Sequence, residues 1–283
     1  MHVFLAGGTG AIGRLLLPLL RDAGHRVTAT TRTEAGAGQL RAAGAAAVRL
    51  DVFDRAAVTE AVRAAAPEAV IHQLTALADY DFAANARIRR EGTRNLVDAA
   101  RAAGVRRIVA QSISWGYQGG DTPADEATPL DPDADRAALV GSLRVLESAA
   151  AELPEHVVLR YGMFYGPGTW YTPGGLVEER LRRGEVTAGP AVTSWLHVTD
   201  AARAAVAALD WPSGVVNVTD DEPAAAAQWV PALAAALGLP APAASEAPRQ
   251  PWERGADNSY ARKVLGWEPV HPSWREGFAR HLG

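Results

Sequence analysis

Apolar and polar positions along this chain switch repeatedly between two rhythms. Short apolar runs, such as Val3-Phe4-Leu5-Ala6 and Ala69-Val70-Ile71, alternate with longer stretches whose apolar residues recur every three or four positions. The first rhythm marks buried strands and the second amphipathic helices. After the opening strand and a helix beginning near Arg14, a second strand is expected over His25 to Thr31. A helix from about Ala35 to Ala43 and a third strand, Ala46 to Leu50, come next. Asp54 is placed to cap a helix running to Ala66, and Ala69 to Leu74 forms the fourth strand. A long helix is predicted from about Phe82 to Ala103, with Gly24 and Gly104 closing helices. A fifth strand, Arg106 to Ser112, and a helix from about Asp135 to Ala151 complete the regular part. Strands and helices alternating at this spacing predict an α/β fold: a doubly wound parallel sheet (Rossmann) with right-handed crossovers.

Between the first strand and first helix lies Gly7-Gly8-Thr9-Gly10-Ala11-Ile12-Gly13. Strand, glycine turn and helix in this order give a dinucleotide fingerprint the context it requires. Gly7 makes the tight turn, Gly10 admits a pyrophosphate, and Gly13 lets helix and strand pack closely. The first-turn N–H groups and helix dipole then favour the phosphates. Thr9, Ala11 and Ile12 complete the candidate phosphate loop. A glycine turn in a flavodoxin-like domain without nucleotide is the alternative. The second strand ends in Thr31-Arg32-Thr33, with no carboxylate to bond a ribose 2′-OH. Arg32 can instead pair with a 2′-phosphate, and bonds of that kind contribute about 1.5–3 kcal/mol, so NADP is expected over NAD.

Composition narrows the field. Charged residues make up 21% of the 283 residues and the net charge is −4, so neither disorder nor a nucleic-acid or membrane partner is indicated. With no cysteine, thiolate nucleophiles, thiolate metal sites and disulfides are excluded. The seven histidines are scattered without ligand spacing on one helix, so no metal is expected. The N-terminal apolar run is broken by glycines, and Ala224 to Ala244 is interrupted by Pro231, Gly238 and Pro240. A soluble cytoplasmic protein acting on a small-molecule substrate is the expectation.

Several further segments carry a resemblance. The GGTGAIG turn, Asp51-Val52, EGTRNLVDAARAAGVRRIV (91–109), LRYGMFYGPGT (159–169), SWLHVTDAA (194–202), VVNVTDDEP (215–223) and ARKVLGWEP (261–269) resemble the extended short-chain dehydrogenase/reductases, in particular the NAD-dependent epimerase/dehydratase group. The resemblance spans almost the whole chain. It implies that Asp51 and Val52 flank the adenine, and that Leu74, Thr75 and Ala76 run beside phosphates and ribose. Tyr161 and Met163 would sit near the nicotinamide, and Gln111, at the end of the fifth strand, joins the cofactor contacts. A nucleotide-binding domain over 1–160 and a smaller, mainly substrate-binding domain over 161–283 follow, with segments such as 194–218 returning to the main sheet. A homodimer is the assembly the resemblance allows.

One departure matters. The group's chemistry rests on a Tyr-x-x-x-Lys pair, whose ammonium lowers the phenol's pKa so that it exchanges a proton with a carbonyl or carbinol. Here Lys263 is the only lysine, and Leu139 and Leu143 occupy the two positions. Arg89 stands where the resemblance expects an asparagine. General acid catalysis contributes about 10² to 10⁴ in rate, so another donor is sought among Ser112, Ser114, Tyr117 and Tyr165. His72 and His197 read as structural.

All eight tryptophans lie at or beyond position 115, which points to an apolar or ring-bearing substrate. Trp115, Trp170, Tyr171 and Trp195 are the candidate pocket walls; Trp211, Trp229, Trp267 and Trp274 read as core. The acidic, proline-containing stretch from Gly116 to Asp133 is expected to be a mobile surface flap, and Pro240 to Pro251 a linker. The function expected is an NADP-dependent oxidoreductase acting on a small or medium, largely apolar carbonyl or carbinol. An isomerase, dehydratase or cyclase that retains its nucleotide, and an NADP-sensing binding protein, are the alternatives.

Overall fold

The computed structural model describes residues 1–77 and 80–283. Its elements follow the expected alternation: β1 (His2–Ala6), α1 (Gly13–Asp22), β2 (Arg26–Thr31), α2 (Glu34–Ala42), β3 (Ala46–Arg49), α3 (Arg55–Ala65), β4 (Ala69–His72), α4 (Phe82–Arg87), α5 (Thr93–Ala102), β5 (Arg107–Ile113), α6 (Ala137–Ala150) and β6 (Glu155–Tyr161). The second half adds β7 (Met163–Tyr165), α7 (Leu176–Arg182), β8 (Val192–Thr193), β9 (Trp195–His197), α8 (Val198–Ala207), β10 (Gly214–Val218), β11 (Ala224–Ala225), α9 (Ala226–Ala236), α10 (Ser259–Lys263) and α11 (Trp274–Arg280).

Seven strands form one sheet in the order β10-β6-β5-β4-β1-β2-β3. The run from β3 through β2, β1 and β4 to β5 is parallel throughout. Order reverses between β1 and β4, so the loop after β1 opens at the switch point where doubly wound sheets take ligands.

The chain divides into two compact units. The first comprises Met1–Ser112, Ala134–Leu159 and Ala202–Val215, and the second Ile113–Asp133, Arg160–Ala201 and Val216–Gly283. In the first unit Phe4, Val70, Ile108, Leu96, Val97, Val58 and Leu146 share one core. Local signals act as the sequence implies: Asp54 caps α3 by accepting from Ala57 N–H at 3.0 Å, and Gly24 and Gly104 take φ of +79° and +74° after their helices.

One helix departs from expectation. The stretch predicted as a single helix from Phe82 to Ala103 widens into a π-turn over Ile88–Gly92, between α4 and α5. A π-turn lodges an extra residue in the helix and is commonly found at functional sites.

In the second unit β7 pairs with β9 in parallel and β8 with β11 antiparallel. Its core corrects three expectations. Trp195 is fully buried, with Tyr171 edge-on at 4.7 Å and Trp229 at 4.9 Å, so Trp195 and Tyr171 fill the interior and do not wall a pocket. Tyr165 is equally buried, against Trp195, His197 and Phe278, and its hydroxyl has no hydrogen-bond partner. Burial pushes that phenol far up, which removes it as a proton donor. Nor is the stretch 116–133 a loose flap. Gln118 N–H donates to Pro129 O at 3.0 Å, Asp131 N–H to Gly116 O at 2.9 Å and Ala124 N–H to Gly255 O at 3.0 Å. Acidic composition alone concealed these backbone ties.

Candidate dinucleotide site

The loop after β1 is built around two close approaches. Gly7 takes φ +96°, and a Cβ there would lie 2.9 Å from Gln73 O. At Gly13, the first residue of α1, a Cβ would come within 2.1 Å of Gly7 O. Only glycine fits either place. Gly10 differs: its nearest neighbour is Gly7 O at 3.5 Å, so protein does not fill the space above it. The loop is also sewn to β2. Gly7 N–H donates to Thr30 Oγ1 at 3.2 Å, Gly8 N–H to Thr30 O at 3.0 Å, and Thr9 Oγ1 lies 3.2 Å from Thr31 Oγ1. Ala11 and Ile12 lead directly into α1, whose first turn is tied back to the loop: Arg14 N–H donates to Gly10 O at 3.1 Å and Leu16 N–H to Ile12 O at 2.8 Å.

A second observation points to a ligand. Gln73 follows β4 and its backbone N–H donates to Ala6 O, yet among the described residues both polar atoms of its buried side chain lack a hydrogen-bond partner. A buried, unmade amide costs about 1–3 kcal/mol, so such a group calls for an explanation. A glycine cradle with open space at Gly10 and an orphaned amide nearby fit a dinucleotide.

The remaining first-unit candidates lie around this end of the sheet. Arg32 is exposed beside Thr31, and among the described residues no carboxylate pairs with it. Asp51 accepts from Phe53 N–H at 3.0 Å, while Val52 packs on Gly92 and its carbonyl accepts from Asn95 at 2.9 Å. Leu74 N–H donates to His72 Nδ1 at 3.2 Å, Thr75 is exposed, and Ala76 N–H donates to Asn85 Oδ1 at 3.2 Å. Gln111 is half-buried on β5. Tyr161 and Met163 belong to the second unit. Tyr161 is fully buried with its hydroxyl donating to Ala201 O at 3.0 Å, so its side chain is structural, and Met163 is half-buried opposite Trp195.

The catalytic candidates fare differently. Ser112 Oγ donates to Glu147 Oε1 at 2.7 Å; that hydroxyl keeps only acceptor capacity and cannot polarise a carbonyl. Ser114 is buried in the second unit, its N–H donating to Tyr161 O at 2.9 Å. Tyr117 is buried too, its hydroxyl donating to Asn217 Oδ1 at 2.5 Å, and burial pushes the phenol up to about 12. It is a structural post, and the role of proton donor does not suit it. Trp115 and Trp170 remain half-buried. Leu143 is fully buried on α6, so that helix presents no acid–base pair.

Three polar groups escaped the sequence reading as site residues. Arg89 lies in the π-turn with 7% exposure, and burial holds its guanidinium down to about 10 against the opposing pull of Glu147. His72 is held down to about 4 by burial and by the charge of Arg89; its Nδ1 accepts from Leu74, so Nε2 donates to Thr93 Oγ1 at 2.9 Å. Glu147 carries no motif of its own.

In the second unit His197, Asp200 and His271 bring donor atoms within 4.8 Å of one another. Two of the three are engaged: Asp200 accepts from the backbone N–H groups of Val270 and His271 at 2.8 and 2.9 Å, and His197 Nδ1 accepts from Thr199 N–H at 3.2 Å. The cluster anchors the segment before α11.

Comparisons bring these features together. Residues 3–219 match the model of the NAD dependent epimerase/dehydratase family. A Streptomyces protein described as a 3-diazoavenalumate denitrifying reductase is 45% identical over 307 residues, covering 99% of this chain and all of that protein. The Thermotoga maritima UDP-glucose 4-epimerase, solved with UDP-glucose, superposes with a TM-score of 0.81 at 22% identity, covering 100% of this chain and 97% of that one. The Thermus thermophilus UDP-glucose 4-epimerase, solved with NAD, gives 0.78 at 27% identity, covering 100% and 98%.

The buried histidine sets a pH dependence. A histidine held below its ordinary 6.5 stabilises the fold while neutral; that stability is complete above about 6.5 and is lost as pH falls toward about 4. Between pH 7 and pH 4 the wild-type melting temperature should therefore fall further than that of His72→Asn, as followed by circular dichroism. Equal falls would show that His72 does not titrate as described.

Proposed function

Because this chain belongs to the NAD dependent epimerase/dehydratase family, we propose that it is an NADPH-dependent reductase that removes nitrogen from a ring-bearing diazo carboxylate. It is an NAD(P)-dependent enzyme with an oxidoreductase or epimerase role.

The carrying observation is the apolar face of α6. Where carbonyl reduction needs a phenol and an ammonium, this helix offers Leu139 and a fully buried Leu143. Ser112, Tyr117 and Tyr165 do not supply the missing acid, since each hydroxyl is engaged or sealed. A diazonium group, which takes hydride at its terminal nitrogen, needs no proton on oxygen. The balance is R–N₂⁺ plus hydride giving R–H plus N₂: the terminal nitrogen accepts hydride, the C–N bond breaks with its electron pair going to carbon, and that carbon takes the hydrogen as N₂ leaves. Bound NADPH supplies the hydride. The description of the Streptomyces relative, which names a diazo acid and its denitrification, supports this class of substrate.

The chain's own residues do the holding. The Gly7–Gly13 loop and the start of α1 take the pyrophosphate, Gln73 satisfies its amide on the ligand, and Arg32 pairs with the 2′-phosphate. Glu147 fixes Ser112 so that neither competes as an acid. Trp115 and Trp170 are the half-buried aromatics left as candidate contacts for a ring.

Mixing the protein with NADPH and 3-diazoavenalumate should consume one NADPH per N₂ released, with an aromatic aldehyde left untouched. Consumption with the aldehyde alone would contradict the proposal, and tight binding without turnover of either would favour an NADP sensor. Arg32→Ala should weaken NADPH about tenfold to a hundredfold, as expected for the loss of charge-assisted bonds, and leave NADH nearly unchanged. Equal losses for both dinucleotides would sink the assignment of Arg32.

A further inference from the structure

Arg89 is a cation with no hydrogen-bonded counterpart among the described residues. It sits in the π-turn between α4 and α5, which packs against α6, and only 7% of its surface is exposed. Among the described residues its guanidinium makes no hydrogen bond and no ion pair. Arginine is almost never buried unless paired, and an uncompensated buried charge destabilises a fold. Its five N–H donors therefore point to an oxygen-rich ligand.

Its surroundings say which part of a ligand. The charge of Arg89 acts on His72, at the end of β4, and on Glu147, which receives the hydrogen bond of Ser112 near the end of β5. Both strand ends lie on one side of the switch point between β1 and β4. The glycine loop and Arg32 belong to β1 and β2, on the other side. A dinucleotide stretched across that point, with its phosphate-bearing adenosine half beside Arg32, lays its nicotinamide half over β4 and β5. Gln73, also orphaned, follows β4 and lies beside the loop. Glu147 lies one helical turn beyond the fully buried Leu143 on α6, the helix against which the π-turn packs. The extra residue of the π-turn is what the chain uses to place Arg89 there.

We infer that Arg89 is a cofactor-binding residue, donating hydrogen bonds to the ribose oxygens at the nicotinamide end of the dinucleotide. The inference rests on dinucleotide binding but is independent of the diazo substrate.

Three proteins test it: wild type, Arg89→Met and Arg89→Lys, each titrated by fluorescence with NADPH and with 2′,5′-ADP, which carries only the adenosine half. Arg89→Met should weaken NADPH about tenfold to a hundredfold, the range expected for a charge-assisted hydrogen bond, with Arg89→Lys between the two. Binding of 2′,5′-ADP should stay within about twofold in all three, since each charge-assisted bond to that half is kept. The melting temperature of Arg89→Met without ligand should equal or exceed that of wild type, because removing an unpaired buried charge relieves the fold. Unchanged NADPH affinity would overturn the inference. So would equal losses for both ligands, or a marked drop in the melting temperature of both variants, either of which would make Arg89 a structural residue. If wild type binds neither ligand, dinucleotide binding itself fails.

Discussion

The first unit depends on the approach of α1 to the end of β1. A side chain at Gly13 would sit 2.1 Å from Gly7 O, nearer than any non-bonded carbon and oxygen can come. That one contact fixes the angle at which the helix leaves the sheet. The positive end of the helix dipole consequently lies at the loop that carries Gly10. Hydrogen bonds from the loop to Thr30, and between Thr9 and Thr31, keep it against β2. The arrangement invests backbone geometry in a place where the protein gains nothing from its own packing. Its return comes from a bound anion.

The other end of the same sheet face shows what happens when a family's usual acid–base pair is absent. Leu143 is buried, Ser112 is tied to Glu147, and Tyr117 is tied to Asn217. No freely ionising phenol is left among these candidates, whereas burial and the charge of Arg89 together keep His72 neutral. The fold is that of the epimerase/dehydratase family, while α6 carries Leu139 and Leu143 at the two positions where the resemblance expects the acid–base pair.

Much of this was legible in the sequence because it rests on local pattern. The alternation of apolar runs, the cap at Asp54 and the glycines at 7, 10 and 13 act over a few residues and need no tertiary partner. The π-turn did not show. Ile88-Arg89-Arg90-Glu91 is ordinary helix-forming sequence, and its widening depends on contacts with α6 that lie some fifty residues away. Arg89 was legible only as a departure, standing where the resemblance expects an asparagine. Among the aromatics, position in the chain gave no means of telling a pocket wall from a core residue. Trp195 and Tyr171 went inside because Trp229 and Phe278 meet them there, whereas Trp115 and Trp170 found no such complete enclosure. The stretch 116–133 misled in the opposite direction, since its order comes from backbone bonds and not from its acidic side chains.

Calorimetric titration of NADPH into wild type and into Gly13→Ala is the most direct check on the central claim. Saturable one-site binding by wild type, abolished in a folded Gly13→Ala protein, is the result predicted from the 2.1 Å approach. Absence of binding to wild type, or undiminished binding once the methyl group is present, would contradict the account at its foundation.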